Sequence, residues 1–285
     1  MSSTSPKTLL NRLGLRPKKT LGQHFLLHPH QARRIVAALH LTGEETVVEI
    51  GAGLGALTVF LAPAARRVIA LERDPDLARF LREDLLVETP GVQVICQDVL
   101  AFDFSKAARE AGRPLAVVGN LPYQITSPLL FTLIQAIPAL AQAVLMMQHE
   151  VGARLLASPG TKDYGILSVL GQYHFRVSRL FSLSPGNFFP PPQVDSVVLR
   201  LRPETPAPAA LDPALLPRLV KVAFGHRRKT LTNTLVSRAA EVGLSPEAMR
   251  GLLAELNIDL KRRGETLSLA EFVALSNQVA ALRAG

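Results

Sequence analysis

Short apolar runs and amphipathic stretches alternate along the first half of the chain. Thr46–Ile50, Arg67–Leu71, Val92–Cys96, Leu115–Val118 and Val144–Met147 are β-branched or apolar runs of strand length. Between and around them, apolar positions recur every three to four residues and predict helices at Pro29–Ala38, Ala56–Ala62, Pro75–Glu83 and His149–Leu156. Strands alternating with helices predict a mostly parallel sheet with helices on both faces. Tyr173–Ser184 and Ser196–Leu201 instead alternate apolar and polar residues, which predicts an antiparallel hairpin closing the sheet. Pro203–Pro217 holds five prolines and reads as a linker. Beyond it the period is helical over Leu215–Phe224, Lys229–Val242, Pro246–Leu256 and Leu269–Leu282. Ser245-Pro246-Glu247 is a helix start and Ser268 with Glu271 a capping box. The expected fold is thus α/β with a small C-terminal all-α domain. Its divisions are a loose N-terminal arm (1–17), a sheet domain (18–202), a linker (203–217) and a helical domain (218–285).

Composition narrows the class. With 285 residues and 48% hydrophobic side chains, the chain is globular and long enough for a large core. Its apolar runs are broken by Gly, Pro or charge, so no membrane span is expected, and no apolar leader opens it. The single cysteine, Cys96, lies in a predicted strand and reads as a small core residue; a reducing cytoplasm is the expected setting. The net charge of +9 is unevenly spread. Met1–Gly43 carries seven Lys/Arg and no acid, and Pro213–Ala240 carries six and no acid. Two such surfaces suit a polyanion, although a solvated basic face would look the same.

The chemistry gathers at predicted strand ends. Val47–Thr58 reads VVEIGAGLGALT, an apolar strand that meets Gly51, Gly53 and Gly55 and restarts as a helix. This is the first βα unit of a nucleotide-binding sheet, in which glycines allow a tight turn and leave no Cβ under a ligand. Gly51, Gly53 and Ala56 also satisfy the looser dinucleotide pattern. Glu72 ends the second strand, 21 residues beyond Gly51, where a carboxylate can accept both ribose hydroxyls of an adenosine-containing ligand. Asp98, at the third strand end, can accept from an adenine amine. The fourth strand runs into Asn120-Leu121-Pro122-Tyr123, a carboxamide, a proline and an aromatic where open α/β sheets bind ligands. Lys18–Leu27 (KKTLGQHFLL) joins basic residues to an amide, an imidazole and a Phe, and His24 there could equally be structural. Phe188 and Phe189 precede three prolines, either as an exposed stacking platform or as an apolar plug.

KKTLGQHFL, EIGAGLGALT, NLPY, GNFFPPPQVDSVVLRL and AFGHRRKTLTNTL occur in this order. The set resembles the ribosomal RNA adenine dimethyltransferases of the bacterial small-subunit type, over about Lys18–Leu282. The resemblance implies a Rossmann-like methyltransferase sheet that uses S-adenosylmethionine (SAM). It also implies dimethylation at N6 of two adjacent adenosines in the 3′-terminal hairpin of small-subunit rRNA. Carried over motif by motif, it implies cofactor contacts from Gln23, His24, Leu26, Gly51, Gly53, Glu72, Asp98, Val99 and Asn120. It implies catalytic roles for Asn120, Leu121, Pro122 and Tyr123. One departure is His24, where the family usually carries Asn; both side chains can donate a hydrogen bond. The implied partner is small-subunit rRNA or the immature small subunit, with no metal, no membrane and a monomeric state expected. The rival readings are a large-subunit rRNA methyltransferase of the macrolide-resistance type, a non-catalytic nucleic-acid-binding factor on the same fold, and, more distantly, a NAD-dependent dehydrogenase.

Overall fold

The computed structural model describes residues 5–87, 89–226 and 228–284. The chain forms two compact units: residues up to Gly152 with Arg176–Pro203, and Ala153–Phe175 with the chain from Glu204 onward. The segment Ala153–Phe175, which the sequence pattern assigned with the sheet, therefore packs with the C-terminal helices.

In the first unit, helix α1 (Pro6–Arg12) precedes strand β1 (Phe25–Leu26) and helix α2 (Pro29–Ala37). Then come β2 (Thr46–Ile50), α3 (Thr58–Leu61), β3 (Arg67–Glu72), α4 (Pro75–Phe80), β4 (Val92–Cys96), α5 (Phe104–Ala111), β5 (Leu115–Asn120), α6 (Thr126–Gln135) and β6 (Leu140–Gln148). Helices α7 (His149–Leu156) and α8 (Ile166–His174) lead to β7 (Phe175–Leu183), β8 (Phe188–Phe189) and β9 (Ser196–Pro203). Seven strands form one sheet in the order β4-β3-β2-β5-β6-β9-β7. Strands β4 to β6 of that order are parallel, and β9 runs antiparallel to β6. β2 and β5 are buried along nearly their whole length, as parallel strands covered on both faces should be. The chain steps outward one way from β2 to β4 and the other way from β5 to β6. This places the switch in strand order, and its crevice, between β2 and β5.

Three expectations need correction, and one open alternative is decided. Residues 6–12 are not a loose arm: Ser5 accepts from the Thr8 amide at 3.2 Å, Pro6 opens the first turn, and Leu10 is 2% exposed in a cluster with Phe25, Ala52 and Leu54. Cys96 is exposed, because β4 is an edge strand whose positions are only partly covered. Lys229–Val242 is not one helix but two short 3-10 turns, Leu231–Asn233 and Ala239–Val242. There the Leu231 and Thr232 amides donate to Arg262 O (2.7 Å) and Leu260 O (3.3 Å), while the Thr234 hydroxyl donates to Thr230 O (3.1 Å). Such side-chain and tertiary partners compete with an i→i−4 ladder. Phe188, finally, is 2% exposed: β8 pairs antiparallel with β1, and Phe188 sits with Leu26, Leu183 and Val198. It is a plug, and no stacking surface.

The second unit gathers α7's end and α8 with α9 (Leu215–Phe224), α10 (Pro246–Glu255) and α11 (Leu269–Ala284). Tyr164, Phe224 and Phe272 form its aromatic centre, at 6.0 Å between successive ring centroids. The expected capping box forms: the Ser268 amide donates to Glu271 Oε2 at 2.7 Å, and the Glu271 amide to Ser268 Oγ at 3.2 Å. Glu271 also binds Arg262 at 2.5 Å. No helix among the described residues is long and apolar enough to cross a membrane.

Candidate functional site

A cavity of about 710 Å³ opens at the carboxyl ends of β2, β3, β4 and β5, within the size range of small-molecule sites. Its walls include Gln23, His24, Leu26, Gly51, Gly53, Glu72, Asp98, Val99, Asn120, Leu121 and Pro122. The structure thus brings together strand ends that lie between Ile50 and Asn120 in the sequence. Tyr123 begins a 3-10 turn after Pro122, but its side chain lies outside the described residues.

The floor is the glycine turn. Gly51, Gly53 and Gly55 have φ of +69°, +57° and +79°, which L side chains rarely adopt. A Cβ on Gly55 would sit 2.2 Å from Leu85 Cδ2, and Leu85 ends the π-helical turn Leu81–Leu85 that continues α4. A Cβ on Gly119 would lie 2.7 Å from Ile50 O, so only glycine lets β5 close on β2 just before Asn120.

Two carboxyl groups brace this turn from inside. Glu72 is 7% exposed; its Oε2 accepts from the Gly53 amide and its Oε1 from the Asp74 amide, both at 2.8 Å. Burial raises its pKa, against the pull of those amides. A carboxylate has about four acceptor positions, so Glu72 keeps capacity for further donors while it holds the loop. Glu49, 1% exposed, accepts from the Thr58 hydroxyl at 2.6 Å. Burial pushes it up to about 8, with the nearby Glu72 charge adding to the rise. The Glu49 carboxyl is therefore mostly protonated at neutral pH.

At the third strand end, Asp98 Oδ1 accepts from the Leu100 amide at 3.0 Å and Oδ2 lies 3.3 Å from Arg73 Nη1. The ion pair with Arg73, itself a cavity residue, had no signal in the sequence beyond a basic residue after Glu72. At the fourth strand end, Asn120 Nδ2 donates to His24 O at 2.7 Å. A carbonyl only accepts, so the amide nitrogen must face it and Oδ1 is left to accept from another group. The Leu121 amide donates to Met146 O at 2.9 Å, and Pro122 O accepts from the Ile125 amide at 3.1 Å. This turn is therefore tied to the next strand and to its own 3-10 turn.

The N-terminal motif works mainly as a frame. His24 Nδ1 donates to Pro190 O at 2.7 Å, and the Leu27 amide donates to Asn187 O at 2.9 Å, so the FFPPP loop supports β1 from behind. Gln23 accepts from the Lys18 amide at 2.8 Å and donates to Asp74 Oδ2 at 2.9 Å. Lys18 Nζ adds bonds to Asp74 (2.6 Å) and Asp76 (3.0 Å). Burial pushes the Asp74 carboxyl up, but the hydrogen bonds from Lys18 and Gln23 outweigh it and hold the group below its ordinary value. Lys18, counted above among basic residues for a polyanion, is thus engaged at home. Helix α1 also reaches the cavity through Pro6, Leu9 and Arg12. Ser5-Pro6 with the Leu9, Leu10 and Leu13 spacing was the signal that could have found it.

The sequence profile of the family described as ribosomal RNA adenine dimethylase matches residues 14–275. The chain is 45% identical over 271 residues to a ribosomal RNA small subunit methyltransferase A from Geobacter metallireducens, covering 94% of this chain and 98% of that protein. It is 42% identical over 280 residues to the protein of the same description from Myxococcus xanthus, covering 98% and 96%. Among solved structures, a dimethyladenosine transferase from Plasmodium falciparum is similar with a TM-score of 0.74 and 27% identity, over 88% of this chain and 96% of that one. The 23S rRNA methyltransferase ErmE is similar with a TM-score of 0.66 and 26% identity, over 90% and 99%.

Proposed function

Since the chain belongs to the ribosomal RNA adenine dimethylase family, we propose that it is the small-subunit enzyme, which uses SAM to dimethylate N6 of two adjacent adenosines in the 3′-terminal hairpin loop of 16S rRNA. The observation that carries the chemistry is the fixed Asn120 carboxamide, its nitrogen held by His24 O and its oxygen left as an acceptor at the cavity. The small-subunit assignment is supported by relatives at 42–45% identity over nearly full length, against 26% for the large-subunit enzyme.

The cavity residues fit SAM. Glu72 retains acceptor capacity for the ribose, Asp98 and Val99 border the adenine place, and the glycine turn leaves no Cβ in the way. When bound, SAM supplies a methyl group on a cationic sulfur. The chain's task is to present the other reactant. Adenine N6 is a weak nucleophile because its lone pair is delocalised into the ring. In our reading Asn120 Oδ1 and the Leu121 carbonyl accept its two N–H bonds, hold the amine closer to tetrahedral and aim the lone pair into the cavity. Pro122 biases Leu121 to an extended conformation, which fixes that carbonyl. Asn120 already spends its donor on His24 O, so little reorganisation accompanies the reaction; positioning and electrostatics do the rest. A base in a structured loop must first turn out, at a few kcal/mol. Stacking by Tyr123 would offset this by about 1–3 kcal/mol; that role rests on the sequence alone.

Incubation with labelled SAM and either immature small subunits or naked large-subunit rRNA tests the reading. Label is expected in the small-subunit RNA as N6,N6-dimethyladenosine. Label only in large-subunit RNA would transfer the assignment to the resistance-type enzyme, and label in neither would favour a binding factor.

A further inference from the structure

Helix α1 precedes every motif on which the family resemblance rests, yet it shares a core with the glycine turn: Leu10 packs in one cluster with Ala52, Leu54 and Phe25. The chain that follows α1 is latched to the β3–α4 connection by Lys18, which binds Asp74 and Asp76, and by Gln23, which bridges Lys18 N and Asp74. The helix is therefore held in place before any ligand arrives.

Three arginines line the cavity: Arg12, Arg33 and Arg73. Arg73 is paired with Asp98, at the end we assign to adenine. Arg33 lies over the Phe60 ring, 5.1 Å from its centroid. Arg12, the last residue of α1, has no ion-pair partner among the described residues. The other charged side chains on the walls are the acids Glu72, Asp84 and Asp98. SAM is an extended molecule with adenine at one end and, at the other, an amino-acid group that carries its only anion. An anion in a cavity lined by acids needs a cation, and the adenine end already uses Arg73.

We propose that α1 is part of the ligand site and that Arg12 recognises the carboxylate of SAM. A guanidinium presents paired N–H donors that match a carboxylate, and such charge-assisted bonds are about twice as strong as neutral ones. The acids nearer the glycine turn leave the ammonium and the cationic sulfur in a favourable field. Because Lys18 and Gln23 hold the chain behind the helix, Arg12 binds with little further ordering.

This inference rests on the SAM reading above, and the test separates the two. Full-length wild type and Arg12→Ala are titrated calorimetrically with SAM and with decarboxylated SAM, which keeps the adenosine, the cationic sulfur and the amine. Arg12 is exposed, so the variant should keep the wild-type Tm. The expected result is a loss of about tenfold for SAM and less than about twofold for the decarboxylated ligand. An unchanged SAM affinity, or an equal loss for both ligands, overturns the role of Arg12 and leaves the cofactor assignment standing. Wild type that binds neither ligand overturns the cofactor assignment and the inference with it.

Discussion

We assign charged partners to both the strand-end cavity and the basic stretch of the helical unit, yet the two are built in opposite ways. At the cavity's strand ends the acids are committed: Glu72 to two backbone amides, Glu49 to Thr58, Asp98 to Leu100 and Arg73. In the helical unit Arg218, Lys221, Arg228 and Lys229 are exposed, while Arg238 is bound to Glu241 at 2.5 Å; Arg227 lies outside the described residues. The contrast follows from the size of the partner. A small ligand is recognised by a few groups, so each must be held still and desolvated. A polyanion is held by many exposed charges, each worth little and each sensitive to salt.

If the cavity depends on preorganised groups, removing one should have a disproportionate effect there. Asn120→Ala should lower single-turnover methyl transfer by on the order of a hundredfold or more and leave RNA binding nearly intact. Transfer within about threefold of wild type would mean that the carboxamide is not the acceptor that matters.

The buried Glu49 offers a test by pH. Its folded-state value is about 8, against an ordinary 4.5, because burial penalises the anion. A carboxyl whose pKa is raised on folding contributes fully below its unfolded value, and the contribution is lost as pH rises toward the folded value. Wild-type stability should therefore fall between about pH 5 and pH 8 by on the order of a few kcal/mol from this group. Glu49→Gln, neutral throughout, should lack that fall. Thermal melts of the two proteins across this range check it, and parallel Tm–pH curves would show that Glu49 does not titrate as buried.

Asp98→Ala tests the same principle at the end we assign to adenine. Loss of an acceptor for a buried amine should weaken SAM by about tenfold to a hundredfold. Calorimetry with unchanged affinity in a folded variant would take Asp98 out of the site.

The smallest effects belong to the other region. Arg228→Ala and Lys229→Ala should each weaken binding to all RNAs alike and lower the salt slope by nearly one unit per lost contact. A loss confined to one RNA sequence, at unchanged slope, would mean that these residues read bases and would collapse the distinction between the two regions.

How legible each region was depends on where its partners sit along the chain. Glu72 and Asp98 could be placed because a parallel sheet collects its strands' carboxyl ends on one edge, and the strands themselves were visible as apolar runs. Gly51, Gly53 and Gly55 were legible because a turn with positive φ has few alternatives to glycine. Cys96 was misread because an apolar run does not say which strand lies at the sheet's edge. Lys229–Val242 was misread because its helical spacing was real, but Arg262 and Leu260 supplied the amides' partners from another segment.

The sequence by itself determined the five apolar strands of the parallel sheet, the glycine turn, and the acids and carboxamide that meet at the strand ends. These follow from local periodicity and from backbone conformations that few residues tolerate. Only the tertiary structure decided that Phe188 is a plug, that α1 walls the cavity, that Ala153–Phe175 joins the helical unit, and which way the Asn120 amide faces. Each of these depends on a contact between segments far apart in the chain, such as Phe188 with Leu26 or Asn120 with His24. Such a contact is chosen by packing and by the need to pair every buried donor, and no single stretch of sequence records it.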